Sequence, residues 1–398
     1  MKILVAPDSF KGSITSVEFC DVTEKAIKDI KKDMIMDIDV IKIPMADGGE
    51  GTIESIVRAM DGITVKRTVS GPLGDDVEAL FGITGDKSTG VIELAQASGL
   101  TLVPKDKRNP MFTTTYGTGQ LIKEALEYGC RRIIIGLGGS ATNDGGVGLL
   151  SALGIRFLNK KGENISAGAK GLLELESVDM CGIDKRLAST ELLVLCDVDN
   201  PLYGKNGAGY VYGPQKGADP DTVKEMDAGL RNFAKKTKKY LDKDIAQEKY
   251  AGAAGGAAAG LMAYLDAKLV SGAEIIKELT GFNKTLGKRD IDLVITGEGE
   301  VNFQTAFGKL PISVAKEARK YGTPVVAVVG RIGKGAYAVH AEGICSIFSI
   351  INGPMTLEDA CKNGKQLLYE AIGEIIRFYC SNKRANFEDF LKETQETY

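Results

Sequence analysis

Carboxylates, lysines and glycines recur together where apolar runs end, and that combination suits the handling of phosphate. Asp8 and Lys11 follow the run at 2–6. Asp47, Gly48 and Gly49 follow 40–43. Ser140, Asn143 and Asp144 follow 132–136, Asp197 and Asn200 follow 192–196, and Glu298 and Lys309 follow 293–296. Glycines and lysines hold phosphate, carboxylates hold Mg2+, and one carboxylate can accept a hydroxyl proton. The set therefore fits Mg2+-assisted phosphoryl transfer. Taken singly, each acid would serve as a cap or turn former. Their recurrence at one strand end after another is what argues for a site.

The densest of these stretches is residues 132–154. Ile133, Ile134 and Ile135 end at Gly136. A loop of small residues follows, carrying Gly138, Gly139, Ser140, Asn143, Asp144, Gly145 and Gly146, and Val147, Leu149, Leu150 and Leu153 then resume helical spacing. This is a strand–loop–helix pattern that turns backbone N–H groups towards an anion. The five glycines from 136 to 146 cost roughly 2.5–5 kcal/mol in folding entropy relative to alanine, which a plain connection would not need. No Walker A loop is present, since neither Gly308-Lys309 nor Gly333-Lys334 has the upstream glycine or the following Ser or Thr. Gly136, Gly138 and Ala141 nearly match a dinucleotide fingerprint. Asn143-Asp144-Gly145-Gly146 interrupts the place where that helix should begin, which counts against NAD.

The bulk numbers remove other classes. A net charge of −3 favours neither nucleic acid nor an acidic membrane. The only histidine is His340, so a histidine-built zinc site is excluded and a general base is expected to be a carboxylate. The 7 cysteines form no CxxC pair and read as reduced thiols of a cytoplasmic protein. No leader or membrane span is expected.

The elements that must position these residues follow from periodicity. A strand at 2–6, a helix opened by a Thr15/Glu18 capping box, a strand at 40–43 and a helix at 53–60 make a β-α-β-α start. Texture changes near residue 64. Segments 64–70, 77–84 and 90–95 read as short, antiparallel strands split by turns. Residues 222–249 read as a lysine-rich, solvated helix. The Ala- and Gly-rich segment 251–265 reads as a closely packed helix or a loop near a ligand. Strands at 293–296 and 325–329 restore βα alternation. This predicts an α/β protein in which one domain is interrupted by another. The seams are placed near 68 and 285: residues 1–68 and 285–380 form the first domain, 69–284 the insert, and 381–398 a polar tail.

The chain resembles the glycerate kinase family of the bacterial glyoxylate and glucarate pathways. The likeness runs from residue 1 to about 380. It is carried by APDSFKGS at 6–13, PMADGGEGT at 44–52, ELAQASGL at 93–100, TTYGTGQLI at 114–122, GLGGSATNDGG at 136–146, CDVDNPLYG at 196–204, GPQKGA at 213–218, TGEG at 296–299 and QTAFGK at 304–309. The resemblance implies a Rossmann-like domain and an inserted α/β domain with the active site in a cleft between them. It also implies transfer of the γ-phosphoryl group of ATP, with Mg2+, to a hydroxyl of D-glycerate, 2-phosphoglycerate being the favoured product. On this reading Lys11 and Lys309 neutralise phosphate or the glycerate carboxylate. Gly138, Gly139, Gly145 and Gly146 supply backbone donors. Asp197 is the base, with Asp8 second. Glu298 and Asp47 hold Mg2+ or position substrate. Ser9, Gly48, Gly49, Ser140, Asn143, Asp144, Asn200, Asn302, Gln304 and Thr305 complete the binding set. Partners are the two small substrates alone, and the chain is expected as a monomer or homodimer.

One departure stands out. After TGEG the family pattern reads Arg or Lys, Ile, Asp, x, Gln, Thr, whereas this chain has Glu300, Val301, Asn302, Phe303, Gln304 and Thr305. An amide cannot act as a base and is a weaker Mg2+ ligand than a carboxylate. The alternative reading is thus an impaired or non-catalytic member that binds glycerate or nucleotide.

Overall fold

A computed structural model describes residues 1–34, 37–196, 198–307 and 309–383. Asp197, expected as the base, lies outside the described residues, as does most of the expected tail. Contacts divide the chain into two units, Met1–Ala46 with Ile276–Tyr398, and Asp47–Ile275. These seams replace those placed near 68 and 285. Residues 47–67 belong to the second unit because the helix Thr52–Ala59 buries Ile53 and Ile56, and the Ile53 N–H donates to the Glu93 carboxylate at 2.9 Å. Residues from 276 rejoin the first unit, where Phe282 and Leu286 are buried and the Thr280 hydroxyl contacts the Met45 sulfur at 3.9 Å.

The first unit begins with β1 (Lys2–Val5), the helix Ser16–Met34 and β2 (Asp39–Lys42). The capping box forms as the sequence predicts. The Thr15 N–H donates to Glu18 at 3.0 Å and the Glu18 N–H to the Thr15 hydroxyl at 3.1 Å. Val17, Cys20, Ile27 and Ile30 are the buried stripe of that helix.

In the second unit β3 (Ile63–Ser70), β4 (Asp76–Ile83) and β5 (Thr89–Glu93) pair antiparallel. They are followed by β6 (Arg132–Gly136), β7 (Arg156–Leu158), β8 (Ser177–Asp179), β9 (Glu191–Leu195) and β10 (Lys268–Val270). The sheet order is β10-β9-β6-β5-β4-β3, and its β10-β9-β6-β5 half is parallel. β7 and β8 make a separate antiparallel pair. The lysine-rich helix, Pro220–Leu241, has two faces. Val223, Met226, Leu230 and Phe233 are buried at helical spacing while most of its lysines point outward. Phe157, Phe233 and Tyr264 meet beneath it, with ring centroids 5.4–6.5 Å apart.

The chain returns to the first unit with β11 (Leu293–Val301), β12 (Val325–Ile332) and β13 (Ser346–Ser349). All five strands of this sheet are parallel, in the order β13-β12-β11-β1-β2. Leu368, Ile372 and Ile376 of the helix Gly364–Lys383 share one core with Ile27 and Ile30. Among the described residues no helix is long and apolar enough to cross a membrane.

Candidate active site

In the first unit the candidate residues gather where β1 and β11 end side by side. Parallel strands place such ends on one edge, where open α/β sheets bind ligands. The Asp8 N–H donates to the Gly297 carbonyl at 2.8 Å, which fixes the loop after β1 against the end of β11. The Asp8 carboxylate accepts the Ser9 N–H at 2.7 Å, and both residues are buried. The Ser9 hydroxyl is buried without a hydrogen-bond partner. A hydroxyl held in that way has lost its water without replacement, which marks a place for a ligand, a water or an ion. Lys11 is exposed on the same loop.

Glu298, buried near the end of β11, accepts the Thr305 hydroxyl at 2.6 Å. The Lys309 ammonium lies 3.8 Å from its other oxygen. Asn302 opens the turn that brings Thr305 back. Its side-chain oxygen accepts the Gln304 N–H at 2.9 Å, and its own N–H donates to the Thr305 hydroxyl at 3.2 Å. One edge of this sheet thus assembles two carboxylates, two hydroxyls and two lysines: Asp8, Glu298, Ser9, Thr305, Lys11 and Lys309. Gln304 is exposed beside them.

In the second unit the glycine loop after β6 divides into two parts. Gly138 and Gly139 are exposed and Ser140 is half-buried, whereas residues 141–147 are buried. The Gly138 N–H reaches the Gly48 carbonyl at 3.4 Å, and a Cβ on Gly136 would lie 2.4 Å from that same oxygen. The absence of side chains therefore lets the loops after residues 46 and 136 touch. The Asp47 carboxylate accepts the Gly49 N–H at 3.2 Å and shapes its own turn. Asn200 is held by the Tyr212 hydroxyl at 2.6 Å and donates to the Asn206 carbonyl at 2.9 Å.

Gly145 and Gly146, expected to turn N–H groups towards a phosphate, spend them inside the protein. The first donates to the Gly255 carbonyl at 3.0 Å and the second to Asp144 at 3.0 Å. Asp144, expected to contact substrate, is buried and accepts from the Thr115 N–H and hydroxyl and from the Gly146 and Gly148 N–H groups at 2.8–3.2 Å. Burial raises its carboxyl above the usual range, against the pull of those donors. It fastens two helix starts. Asn143 is buried, and both of its side-chain polar atoms, like the Thr142 hydroxyl, lack a partner. Among the expected residues of the 136–146 loop, Gly139 and Ser140 keep accessible donors, while the exposed Gly138 turns its N–H to the Gly48 carbonyl.

Sequence reasoning passed over Lys216. Only 2% exposed, it donates to the Ser140 hydroxyl at 2.9 Å and the Thr142 carbonyl at 2.7 Å, clamping the loop between its accessible and buried parts. The one available signal was a lysine inside the glycine-bearing string GPQKGA. Burial pushes its ammonium down to about 7, opposed by the attraction of Asp144. Unfolded, the same group holds its proton to about pH 10.4. As pH rises through 7 the folded chain releases a proton that the unfolded chain keeps, so higher pH favours the folded state across that window. Between about pH 6.5 and about pH 8.5 the intact protein should gain on the order of 2 kcal/mol in urea unfolding relative to Lys216→Met. A difference that stays flat over this range would show that Lys216 keeps its proton in the fold.

Residues 3–380 match the model of the Glycerate kinase family. The chain is 49% identical over 373 residues to a glycerate kinase of Halalkalibacterium halodurans, covering 94% of this chain and 97% of the relative. It is 45% identical over 360 residues to a glycerate 2-kinase of Escherichia coli, covering 90% and 93%. A crystal structure described as a putative glycerate kinase 2 from Salmonella typhimurium LT2 superposes with a TM-score of 0.84 at 42% identity, covering 96% of this chain and 99% of that one.

Proposed function

Since this chain belongs to the glycerate kinase family, we propose that it transfers the γ-phosphoryl group of ATP to a hydroxyl of D-glycerate, giving 2-phosphoglycerate and ADP. The observation that carries the reading is the edge formed by β1 and β11. It joins Asp8, Ser9, Glu298, Thr305 and Lys309, the acceptor, donor and cationic groups that a hydroxy acid and a phosphate both require. The relative named a glycerate 2-kinase supports the choice of product.

A divalent cation fits this edge. The Glu298 carboxylate and the partnerless Ser9 hydroxyl are hard oxygen donors, and Mg2+ is usually held by one or two carboxylates together with phosphate oxygens and water. When bound, Mg2+ would neutralise charge developing on the phosphate oxygens. We assign Glu298 to that role and Asp47 to positioning of substrate. Lys11 and Lys309 bring positive charge to an anionic ligand. Within the second unit, Gly139 and Ser140 are assigned as donors to an anionic ligand. Asp197 is assigned as the base that takes the hydroxyl proton, with Asp8 as the second choice. The 7 cysteines, none of them in a CxxC pair, fit a reducing, cytoplasmic setting.

ADP production from ATP, Mg2+ and D-glycerate tests the reading, with the two phosphoglycerates distinguished by enzymes specific to each. Glycerate-dependent ADP release is the expected result. Binding of glycerate or ATP without ADP would transfer the protein to the non-catalytic reading. Release of 3-phosphoglycerate would correct the assignment of the acceptor hydroxyl.

A further inference from the structure

Asn302 stands at the centre of a short relay on the first unit. Its side-chain oxygen accepts the Gln304 N–H at 2.9 Å, closing the turn. Its side-chain NH2 donates to Glu300 at 3.1 Å. Residues 300 and 302 are two apart along the chain at the end of β11 and share a face. Across the β11–β12 pairing, Arg331 lies opposite Glu300 with 3.7 Å between guanidinium and carboxylate. The turn closed by Asn302 carries Thr305, whose hydroxyl holds the Glu298 carboxylate.

We propose that Asn302 is a positioning residue which locks the Thr305–Glu298 pair in place, and that it must be an amide because Glu300 faces it. The proposal rests on the kinase reading above. Either Asp or Asn at this position can close the turn by accepting the Gln304 N–H. Only Asn can also donate to Glu300. An aspartate there would set two carboxylates at hydrogen-bond distance with no proton between them, and like charges at that range repel. The amide thus adapts the relay to Glu300 and keeps Glu298 placed, so it is not a lesion of the site.

The test compares the intact protein with Asn302→Asp, Glu300→Gln and the double variant, each normalised to folded protein by melting curves. Asn302→Asp should lower kcat by about tenfold, with KM for ATP within about twofold, because the loss falls on the placement of Glu298. Glu300→Gln alone should stay within about twofold of the intact protein, since two amides still pair. The double variant should recover to within about threefold, because the amide introduced at position 300 would donate to the carboxylate introduced at position 302. Asn302→Asp turning over as fast as the intact protein overturns the proposal while leaving the kinase reading standing. So does a double variant no better than Asn302→Asp. An intact protein that makes no ADP overturns the kinase reading, and the proposal falls with it.

Discussion

Glu298→Gln should lower turnover by about 10²–10³-fold while the protein remains folded. Glutamine keeps the shape of the side chain and an oxygen for the Thr305 hydroxyl, which sits 2.6 Å from the carboxylate. It removes the charge that Lys309 faces at 3.8 Å and the hard oxygen donor that a divalent cation would use. Packing, hydrogen bonding and the end of β11 are otherwise preserved, so the melting temperature reports on the fold and the rate on the charge. Steady-state rates with ATP, Mg2+ and D-glycerate make the measurement. The loss should be partly relieved at raised Mg2+ if the carboxylate holds the ion. Turnover within about threefold of the intact protein would reduce Glu298 to a partner that steadies Thr305.

Gly255→Ala should cost about 3–5 kcal/mol of stability, a large effect with two sources. The residue sits at φ +66°, in the left-handed region, where a side chain costs about 1–2 kcal/mol. An added Cβ would also lie 2.1 Å from the Thr142 carbonyl oxygen and 2.5 Å from the Asn143 Cα. Both are backbone atoms, so no rotamer change relieves the clash. The loop that Lys216 clamps would have to move. Gly162→Ala is the control. Its φ is +78° and nothing lies within 4 Å of the added Cβ. That variant should lose only the conformational part, about 1–2 kcal/mol. Chemical denaturation of both separates the contributions. Equal losses at the two sites would mean that the close approach at Gly255 carries no energy.

Much of the candidate site was legible because its signals are local. Asp8, Glu298 and Lys309 announce themselves as polar residues set just past apolar strands. The Thr15–Glu18 box needs only a three-residue spacing to be recognised, and it forms as read. The Ala- and Gly-rich stretch reads as a closely packed helix or a loop near a ligand. Its backbone is a buried helix entered through left-handed Ala254, Gly255 and Gly256. The first seam was misplaced because residues 47–62 look like a continuation of the βα alternation. Only their packing, with Ile53 tied to Glu93, assigns them to the second sheet.

The sequence alone determined the α/β class, the parallel strands with polar residues at their ends, the interruption of one unit by another, and the family. Each of these follows from periodicity or from strings of adjacent residues. Tertiary structure alone decided which members of the glycine loop remain available. Gly138, Gly145 and Gly146 have the same chemistry as Gly139, yet their N–H groups are taken by Gly48, Gly255 and Asp144. It also decided that Lys216 clamps Ser140 across 76 residues of chain, and that Asn302 answers to Glu300 and through it to Arg331. Burial and hydrogen-bond partnership belong to pairs of segments brought together by packing, and no single segment carries its partner's identity.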